Sequence, residues 1–333
     1  MESEAGSILK VHGIALISGG LDSILAVKVI QEQGIEVEGV AFETPFFSAD
    51  RAVAASRAIN LPLTVVDITE DHLAMLRAPR YGYGKNMNPC IDCHILMLKK
   101  AGEIMETRDG DCILTGEVLG QRPLSQGKQS LHIVAKRSGY QPYIIRPLSA
   151  RLLPETLPET EGKVDRSRLL DIQGRGRKRQ IELAERYQIV NYDIPAGGCL
   201  LTDAGFSKRL KDLFEHNADM QIRDLELLKV GRHLRLNDRT KIIVGRKQGE
   251  NVIIRKLSGD HDTILRMKDI PGPTVLVPYG CDEQELYHAA GVCAFYGRAG
   301  NDQQVWVEWR REGATQYIEV VPAEEETVRS LII

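Results

Sequence analysis

The chain has 333 residues, 43% hydrophobic and 27% charged, with a formal net charge of −3. That length suits about two domains, and the composition suits chains that build hydrophobic cores rather than disordered or disulfide-stapled ones. The near balance of charge excludes a globally basic nucleic-acid binder, so any polyanion surface must be a local patch. No run of ~18 apolar residues is present to span a membrane.

The N-terminus, Met1-Glu2-Ser3-Glu4-Ala5-Gly6, is acidic and lacks the basic and apolar regions of a signal peptide. A cytoplasmic chain is expected, and its six cysteines then read as thiols, metal ligands or catalytic groups rather than structural disulfides.

The first predicted strand, Ile14-Ala15-Leu16-Ile17, runs into Ser18-Gly19-Gly20-Leu21-Asp22-Ser23 and then into a helix from Ile24 to Gln33. Adjacent glycines let backbone pass close to a ligand. Asp22 and Ser23 fall where a helix N-terminus exposes unpaired N–H groups, a ready anion site, and phosphate is the expected anion. Residues 10–150 go on alternating strand and helix: strand 35–42, helix 49–60, strand 63–68. Such short apolar strands suit a parallel sheet covered on both faces, with ligand at the strands' C-terminal ends; Ala41 and Phe42 close the second of them.

Asn88-Pro89-Cys90-Ile91-Asp92-Cys93-His94 then opens a helix reaching about Thr107. Pro89 suits a helix start, and Cys90 and Cys93 share a face one turn apart. Thiols at a helix N-terminus are expected to have depressed pKa values. Strand Cys112–Thr115 leads into Thr115-Gly116-Glu117-Val118-Leu119-Gly120-Gln121, followed by Ser125-Gln126.

Residues 150–180 carry Arg151, Lys163, Arg166, Arg168, Arg175, Arg177, Lys178 and Arg179. A basic strip in a mildly acidic chain is what phosphate-backbone binding needs, although solvated charged faces are common. Ile194-Pro195-Ala196-Gly197-Gly198-Cys199-Leu200-Leu201-Thr202-Asp203 comes next, then a helix from Phe206 to His216. The texture changes after it. A helix or turn over 221–231, short strands over 234–236, 241–246, 252–257, 264–267 and 274–277, a helix over 283–296 and strands over 305–309 and 317–321 make an α+β module. The predicted domains are an α/β parallel-sheet domain over 8–217 and the smaller α+β domain over 218–333.

The hexapeptide Ser18–Ser23 resembles the pyrophosphate loop, Ser-Gly-Gly-x-Asp-Ser, of the ATP pyrophosphatase (PP-loop) superfamily; no Walker-type Gly-Lys-Ser/Thr follows it. The resemblance implies an adenine nucleotide α-hydrolase-like fold that splits ATP between its α and β phosphates. Thr115–Gln121 with Ser125-Gln126, and Ile145-Arg146-Pro147-Leu148, are similar to segments of tRNA 4-thiouridine synthases, while the Asn-Pro-Cys opening is similar to tRNA 2-thiouridylases. By that resemblance, Ser18, Gly19, Gly20, Asp22, Ser23, Ala41, Phe42, Thr115, Gly116 and Gln121 bind ATP, and Asp22 helps to place Mg²⁺. The tail, with Val244-Gly245-Arg246-Lys247, Glu250-Asn251, Asp262 and Pro271-Gly272-Pro273, resembles the RNA-binding domain of NFACT proteins, which implies that Arg246 and Lys247 face RNA.

Cys90, Cys93 and Cys199 form the decisive trio. They can hold a [4Fe–4S] cluster with one iron left open, as cluster-dependent tRNA-thiolating enzymes do. They can instead work without metal, with a persulfide on Cys199 and a disulfide to Cys90 or Cys93 at turnover. A structural zinc completed by His94 is a third reading, weakened because His94 leaves the shared helix face. The remaining histidines show no ligand spacing.

The expected function is an ATP-dependent tRNA sulfurtransferase that adenylylates a uridine and replaces its carbonyl oxygen with sulfur, giving 2- or 4-thiouridine. Catalysis falls to Cys90, Cys93, Cys199 and Asp22, and RNA contact to Arg175, Arg177, Lys178, Arg179, Arg246 and Lys247. The alternatives are an adenylylating sulfur-transfer enzyme or amide ligase acting on a small molecule, and an RNA-binding factor with a vestigial ATP site. The partners implied are tRNA and a sulfur donor, either a cysteine desulfurase or free sulfide, with no membrane; a homodimer is compatible with the sequence.

Overall fold

Strand and helix alternate from the start of the described chain: β1 (His12–Leu16), α1 (Leu21–Gln31), β2 (Glu36–Glu43), α2 (Asp50–Ala58), β3 (Leu63–Asp67), α3 (Thr69–Arg77), α4 (Cys90–Thr107), β4 (Cys112–Leu114), α5 (Lys128–Ser138), β5 (Ile144–Ile145), α6 (Leu157–Thr160) and α7 (Lys178–Arg186). The structure is a computed structural model and describes residues 10–190, 192, 198–297 and 303–333. The five strands form one parallel sheet in the order β3-β2-β1-β4-β5. Alternate strand residues serve opposite faces. Ala15, Ala41, Leu114 and Ile145 pack in one core cluster, and Ile14, Val40, Phe42, Ile113 and Ile144 in the other. Both faces are therefore apolar, which is why these strands lack the polar alternation of a half-exposed sheet.

The order has one physical consequence. From β1 the chain winds outward through β2 to β3, then returns to lay β4 on the other side of β1. The connections leaving β1 and β4 run to opposite sides, and a crevice opens between them at the strands' C-terminal ends, where open α/β sheets bind ligands.

The chain divides into two compact units, Met1–Thr202 and Asp203–Ile333. The helix α8 (Ala204–His216) lies in the second unit, although its sequence reads as the close of the first. Asp203 caps it by accepting the Phe206 N–H, and its Asp212 accepts from Arg235 and Lys241 of the following strands. The unit continues with α9 (Ile222–Leu227), β6 (Arg232–Arg235), β7 (Lys241–Val244), α10 (Gln248–Leu257), β8 (Thr263–Met267), β9 (Val275–Val277), α11 (Glu283–Tyr296), β10 (Val305–Arg311), β11 (Ala314–Val320) and α12 (Glu325–Ser330). Its strands make one antiparallel sheet, ordered β11-β10-β8-β9-β7-β6.

The α11 side chains Leu286, Ala289, Ala290 and Cys293 cluster with Leu265, Val275 and Val307, whereas Leu227 and Ile254 cluster with Ile243 and Leu276. Helices thus serve both sheet faces. The strand expected over 252–257 is instead the second half of α10. Asn251 and Ile254 are buried while Val252 and Ile253 are exposed, a helical spacing that a short Val-Ile-Ile run does not reveal by itself. Asn251 Oδ1, 3.0 Å from the Thr274 N–H it accepts, fixes the inner face of that helix.

Candidate active site

The loop between β1 and α1 is shaped by its glycines. Gly19 has a φ of +79°, and a Cβ there would meet the Arg51 backbone at 2.5 Å. The residue must lack a side chain both for its conformation and for its neighbour. Ser23, at the start of α1, donates from Oγ to Gly20 O at 2.7 Å, and Gly20 N approaches Ser18 Oγ at 3.4 Å. The loop is therefore held by its own serines, and the N-terminal end of α1 carries unpaired N–H groups.

The segment after β4 presses directly on this loop. A Cβ on Gly116 would lie 2.5 Å from Ser23 N and 2.6 Å from Asp22 C. Gln121 Nε2 donates to Asp22 Oδ2 at 2.8 Å, and Gln180 Nε2 donates to Gln121 Oε1 at 3.3 Å. Thr115 supports the arrangement from below: it is buried, its Oγ1 donates to Glu117 Oε2 at 3.2 Å, and it accepts the Glu117 N–H at 3.1 Å. Ser18, Gly19, Gly20, Asp22, Ser23, Thr115, Gly116 and Gln121 thus share one crevice. Ala41 and Phe42 sit at the end of β2 with their side chains packed into the two core clusters, which leaves backbone rather than side chain to face a ligand there.

Of the basic cluster, Arg177 goes where its sequence context does not suggest. Its Nη2 lies 3.7 Å from Asp22 Oδ1, and Nε and Nη2 of Arg177, Oδ1 of Asp22 and Oε1 of Gln180 are buried without a hydrogen-bond partner. Buried polar atoms are ordinarily satisfied; a group of such atoms around a glycine-rich loop is suited to a charged ligand that supplies the missing partners. Arg175, Lys178 and Arg179 stay exposed, with Arg179 paired to Asp171 at 2.7 Å and Lys178 to Glu182 at 4.0 Å. In the second unit, Arg246 Nη2 pairs with Glu250 at 2.5 Å and Lys247 stands exposed at the N-cap of α10.

Beneath the crevice lies a buried charge network. Glu117 accepts from Arg146 Nε at 2.8 Å and has His94 Nδ1 at 2.9 Å from its other oxygen. Burial alone would raise the Glu117 pKa, but the Arg146 guanidinium and His94 outweigh it and hold the carboxyl down at about 2. His94 is thereby turned toward Glu117.

Cys90 and Cys93 open α4, as their sequence context predicts. Asn88 Nδ2 donates toward Cys90 Sγ at 3.2 Å, and Asp92 accepts the Arg80 and Tyr81 N–H groups at 3.1 and 3.0 Å. Cys199 reaches the same place from far along the chain. Leu200 N donates to Phe46 O at 2.9 Å, and Asn86 Nδ2 donates to Thr202 O at 2.7 Å. The result is electrostatic coupling of all three thiols. Burial raises the Cys93 pKa, and Cys199 and Cys90 raise it further; burial pushes Cys199 up to about 11, with Cys90 adding to the rise against a Leu201 backbone hydrogen bond. The thiolate character expected from the helix N-terminus is overturned at Cys93, where loss of solvent outweighs the helix end.

Two connections tie this trio to the loop between β1 and α1. His94, next to Cys93, meets Glu117, whose neighbour Gly116 abuts Ser23. Arg51, whose backbone crowds Gly19, also brings Nη1 to 4.0 Å from a Cβ built on Gly198, the residue before Cys199. Ile194, Pro195, Ala196 and Gly197 of the same motif lie outside the described residues.

One neighbour of the thiols has no sequence signal. His72, on α3, is fully buried, with its ring 5.4 Å from Phe46 and 5.5 Å from Phe47, and its Nε2 3.6 Å from Cys93 Sγ. Burial lowers its pKa to about 4, so the ring is neutral. A lone histidine in a helix has no spacing partner, and only the fold reveals it.

Among the described residues, no group of three His, Cys, Asp or Glu side chains is arranged to hold a metal ion. The donor set nonetheless fits an iron–sulfur group in kind: three soft sulfur ligands from two segments, each partly buried. No helix among the described residues is long and apolar enough to cross a membrane.

Comparison with known proteins divides as the two units do. Residues 9–151 match the family model of the Thiamine biosynthesis protein (ThiI), and residues 231–332 match that of the NFACT protein RNA binding domain. The first unit is accordingly an α/β domain of the PP-loop type, and the second carries an NFACT-like antiparallel sheet. Among solved structures, the C-terminal part of a fibronectin/fibrinogen-binding protein from Streptococcus suis is 16% identical over 47% of this chain and 76% of its own, with a TM-score of 0.29. A predicted subunit of a tRNA methyltransferase from Methanocaldococcus jannaschii is 13% identical over 41% of this chain and 67% of its own, with a TM-score of 0.31. A 4-thiouridine synthetase in complex with RNA and bound ATP is 20% identical, with a TM-score of 0.38; the match spans 66% of this chain and about half, 52%, of that one.

Proposed function

We propose that this chain, with a ThiI-type nucleotide domain followed by an NFACT-like domain, is an ATP-dependent tRNA sulfurtransferase. It adenylylates a uridine and exchanges the activated carbonyl oxygen for sulfur, forming 2- or 4-thiouridine. The observation that carries this is the meeting of three coupled thiols with a PP-type loop through His94–Glu117–Gly116 and through Arg51.

ATP lies with its phosphates against the Ser18–Ser23 loop, and Thr115, Gly116 and Gln121 close the pocket. Asp22 helps to place Mg²⁺, which binds through few carboxylates and keeps several waters. Its Oδ1, which accepts no hydrogen bond, suits that role. The uridine oxygen attacks the α-phosphorus, the bond to the bridging oxygen breaks, and pyrophosphate leaves. Loop N–H groups and Arg177 stabilise the charge that develops on the phosphates. Sulfur then adds at the activated ring carbon and AMP departs with the original oxygen. The target base must leave its stack to reach the pocket.

Cys90, Cys93 and Cys199 would hold a [4Fe–4S] cluster. Held by three protein ligands, such a cluster would supply an iron site open to exogenous sulfur. His72 and Asn88 orient the thiols, and Glu117 fixes His94 away from them. The closeness of Cys199 to Cys90 supports a second route. In it a Cys199 persulfide donates its outer sulfur, and Cys90 or Cys93 then forms a disulfide with Cys199 that an external thiol reduces. The sulfur donor is a cysteine desulfurase, whose sulfane sulfur would load Cys199 by persulfide transfer, or, for the cluster route alone, free sulfide. Exposed Arg175, Lys178, Arg179 and Lys247 contact tRNA phosphates.

The test is tRNA-dependent release of pyrophosphate by anaerobically purified protein, with nucleoside analysis of the tRNA before and after sulfide is added. Pyrophosphate release and a new thiouridine are expected. Release driven by a small molecule instead of tRNA, or no release at all, would point to one of the alternative classes.

A further inference from the structure

The outer hairpin of the second unit presents a feature that the nucleotide site does not use. Strands β10 and β11 pair with Trp306 opposite Glu319 and Glu308 opposite Tyr317. Val307 and Val320 turn into the core, so Trp306, Glu308, Arg310, Tyr317 and Glu319 share the outward face. Trp306 remains 43% exposed and Tyr317 49%, which is unusual for rings of this size beside a sheet that buries Val307 completely. They are diagonal neighbours, a relation that puts side chains roughly 7–8 Å apart, close to twice the rise of stacked bases. Lys268 Nζ lies over both rings, 5.8 Å from the Trp306 centroid and 5.0 Å from that of Tyr317. Arg266, opposite Glu308 in β8, extends the same face.

We infer that this face is a stacking platform for single-stranded RNA, with Trp306 and Tyr317 each taking one base and Lys268 moving from the rings to a phosphate. The inference rests on the reading that the chain acts on tRNA. It places the single-strand contact on the hairpin and not at the Arg246–Lys247 turn. Arg246 spends its charge on Glu250, through both its guanidinium and its backbone N–H. On the hairpin face, Arg266, Lys268 and Arg310 outnumber Glu308 and Glu319, and flat exposed rings beside cations are the combination that binds single strands without reading sequence. A protein partner would more naturally add a strand to the free edge of β11, a contact that does not need the rings.

The chain offers a direct probe, because its two tryptophans are Trp306 and Trp309, on opposite faces of the same strand. In full-length protein carrying Trp309→Phe, oligouridylate should quench the remaining emission. Trp306→Ala and Tyr317→Ala should each weaken oligouridylate binding about 5- to 100-fold, Trp306→Phe should restore most of it, and Lys268→Gln should make the salt dependence shallower. No quenching together with unchanged affinity in both alanine variants would overturn the platform, and if tRNA-dependent pyrophosphate release survived, the proposed function would still stand. Loss of self-association or of a protein partner in those variants, with RNA affinity intact, would overturn it as well. Oligouridylate binding lost in the variants of a protein that never adenylylates tRNA would keep the platform and remove the function.

Discussion

Gly116 and Ser23 touch backbone to backbone: a methyl group on Gly116 would sit 2.5 Å from the Ser23 nitrogen. That contact joins the turn after β4 to the loop after β1 and closes the crevice at the point where the sheet reverses its winding. Gly116→Ala should therefore push the two segments apart. Overpacking of this kind costs about 1–3 kcal/mol, and the displaced group is one proposed to face phosphate. ATP affinity should fall at least about tenfold while the protein stays folded, as nucleotide titration beside a thermal melt would reveal.

Arg177 and Arg179 are close in sequence and opposite in role. Arg177 lies against Asp22 with two nitrogens unpartnered, whereas Arg179 pairs with Asp171 at the surface. Arg177→Gln removes charge-assisted hydrogen bonds worth about 1.5–3 kcal/mol, so pyrophosphate release should drop about 10- to 100-fold. Arg179→Gln should leave release with saturating tRNA within about twofold and act only on tRNA affinity. Equal effects from the two variants would return Arg177 to the RNA surface.

Cys90→Ser, Cys93→Ser and Cys199→Ser should each abolish thiouridine formation while ATP binding persists, because the thiols lie beside the proposed nucleotide crevice and not in it. Iron and labile sulfide, measured on anaerobically prepared protein, should fall in all three variants. Wild-type protein free of iron and still active with a persulfide donor would select the disulfide route.

His72 gives the fold an acid-sensitive element. Its pKa is lowered to about 4 by burial, from an ordinary value of 6.5. Between those values the unfolded chain binds the proton and the folded chain does not. Stability is therefore unaffected above about pH 6.5 and is lost as pH falls toward 4. His72→Phe keeps a ring between Phe46 and Phe47 and removes the titration, so its melting temperature should fall less than that of the wild type from pH 6.5 to 4. Parallel curves would place the acid sensitivity elsewhere. Glu117 acts in the next window down: its carboxyl, held at about 2, contributes stability above 4.5 that is lost as pH falls through 2. Glu117→Gln leaves Arg146 buried without its counter-charge, a change that costs about 3–5 kcal/mol.

The hexapeptide Ser18–Ser23, the CxxC at Cys90 and Cys93 and the Thr115–Gln121 turn were all legible by themselves, because each is a local solution to a local need: a tight turn, a helix start, a backbone that must pass close to a ligand. The parallel sheet was legible too, from short strands apolar on both faces. Local chemistry could not say which of several neighbouring arginines turns inward, that a lone histidine lies beside a thiol, or that a Val-Ile-Ile run coils around Ile254 in place of extending. Those outcomes belong to packing. Arg177 meets Asp22, His72 meets Cys93, and Cys199 joins Cys90 only because the sheet and its connections bring remote segments to one end, and burial then sets the charge states that sequence position alone had suggested otherwise.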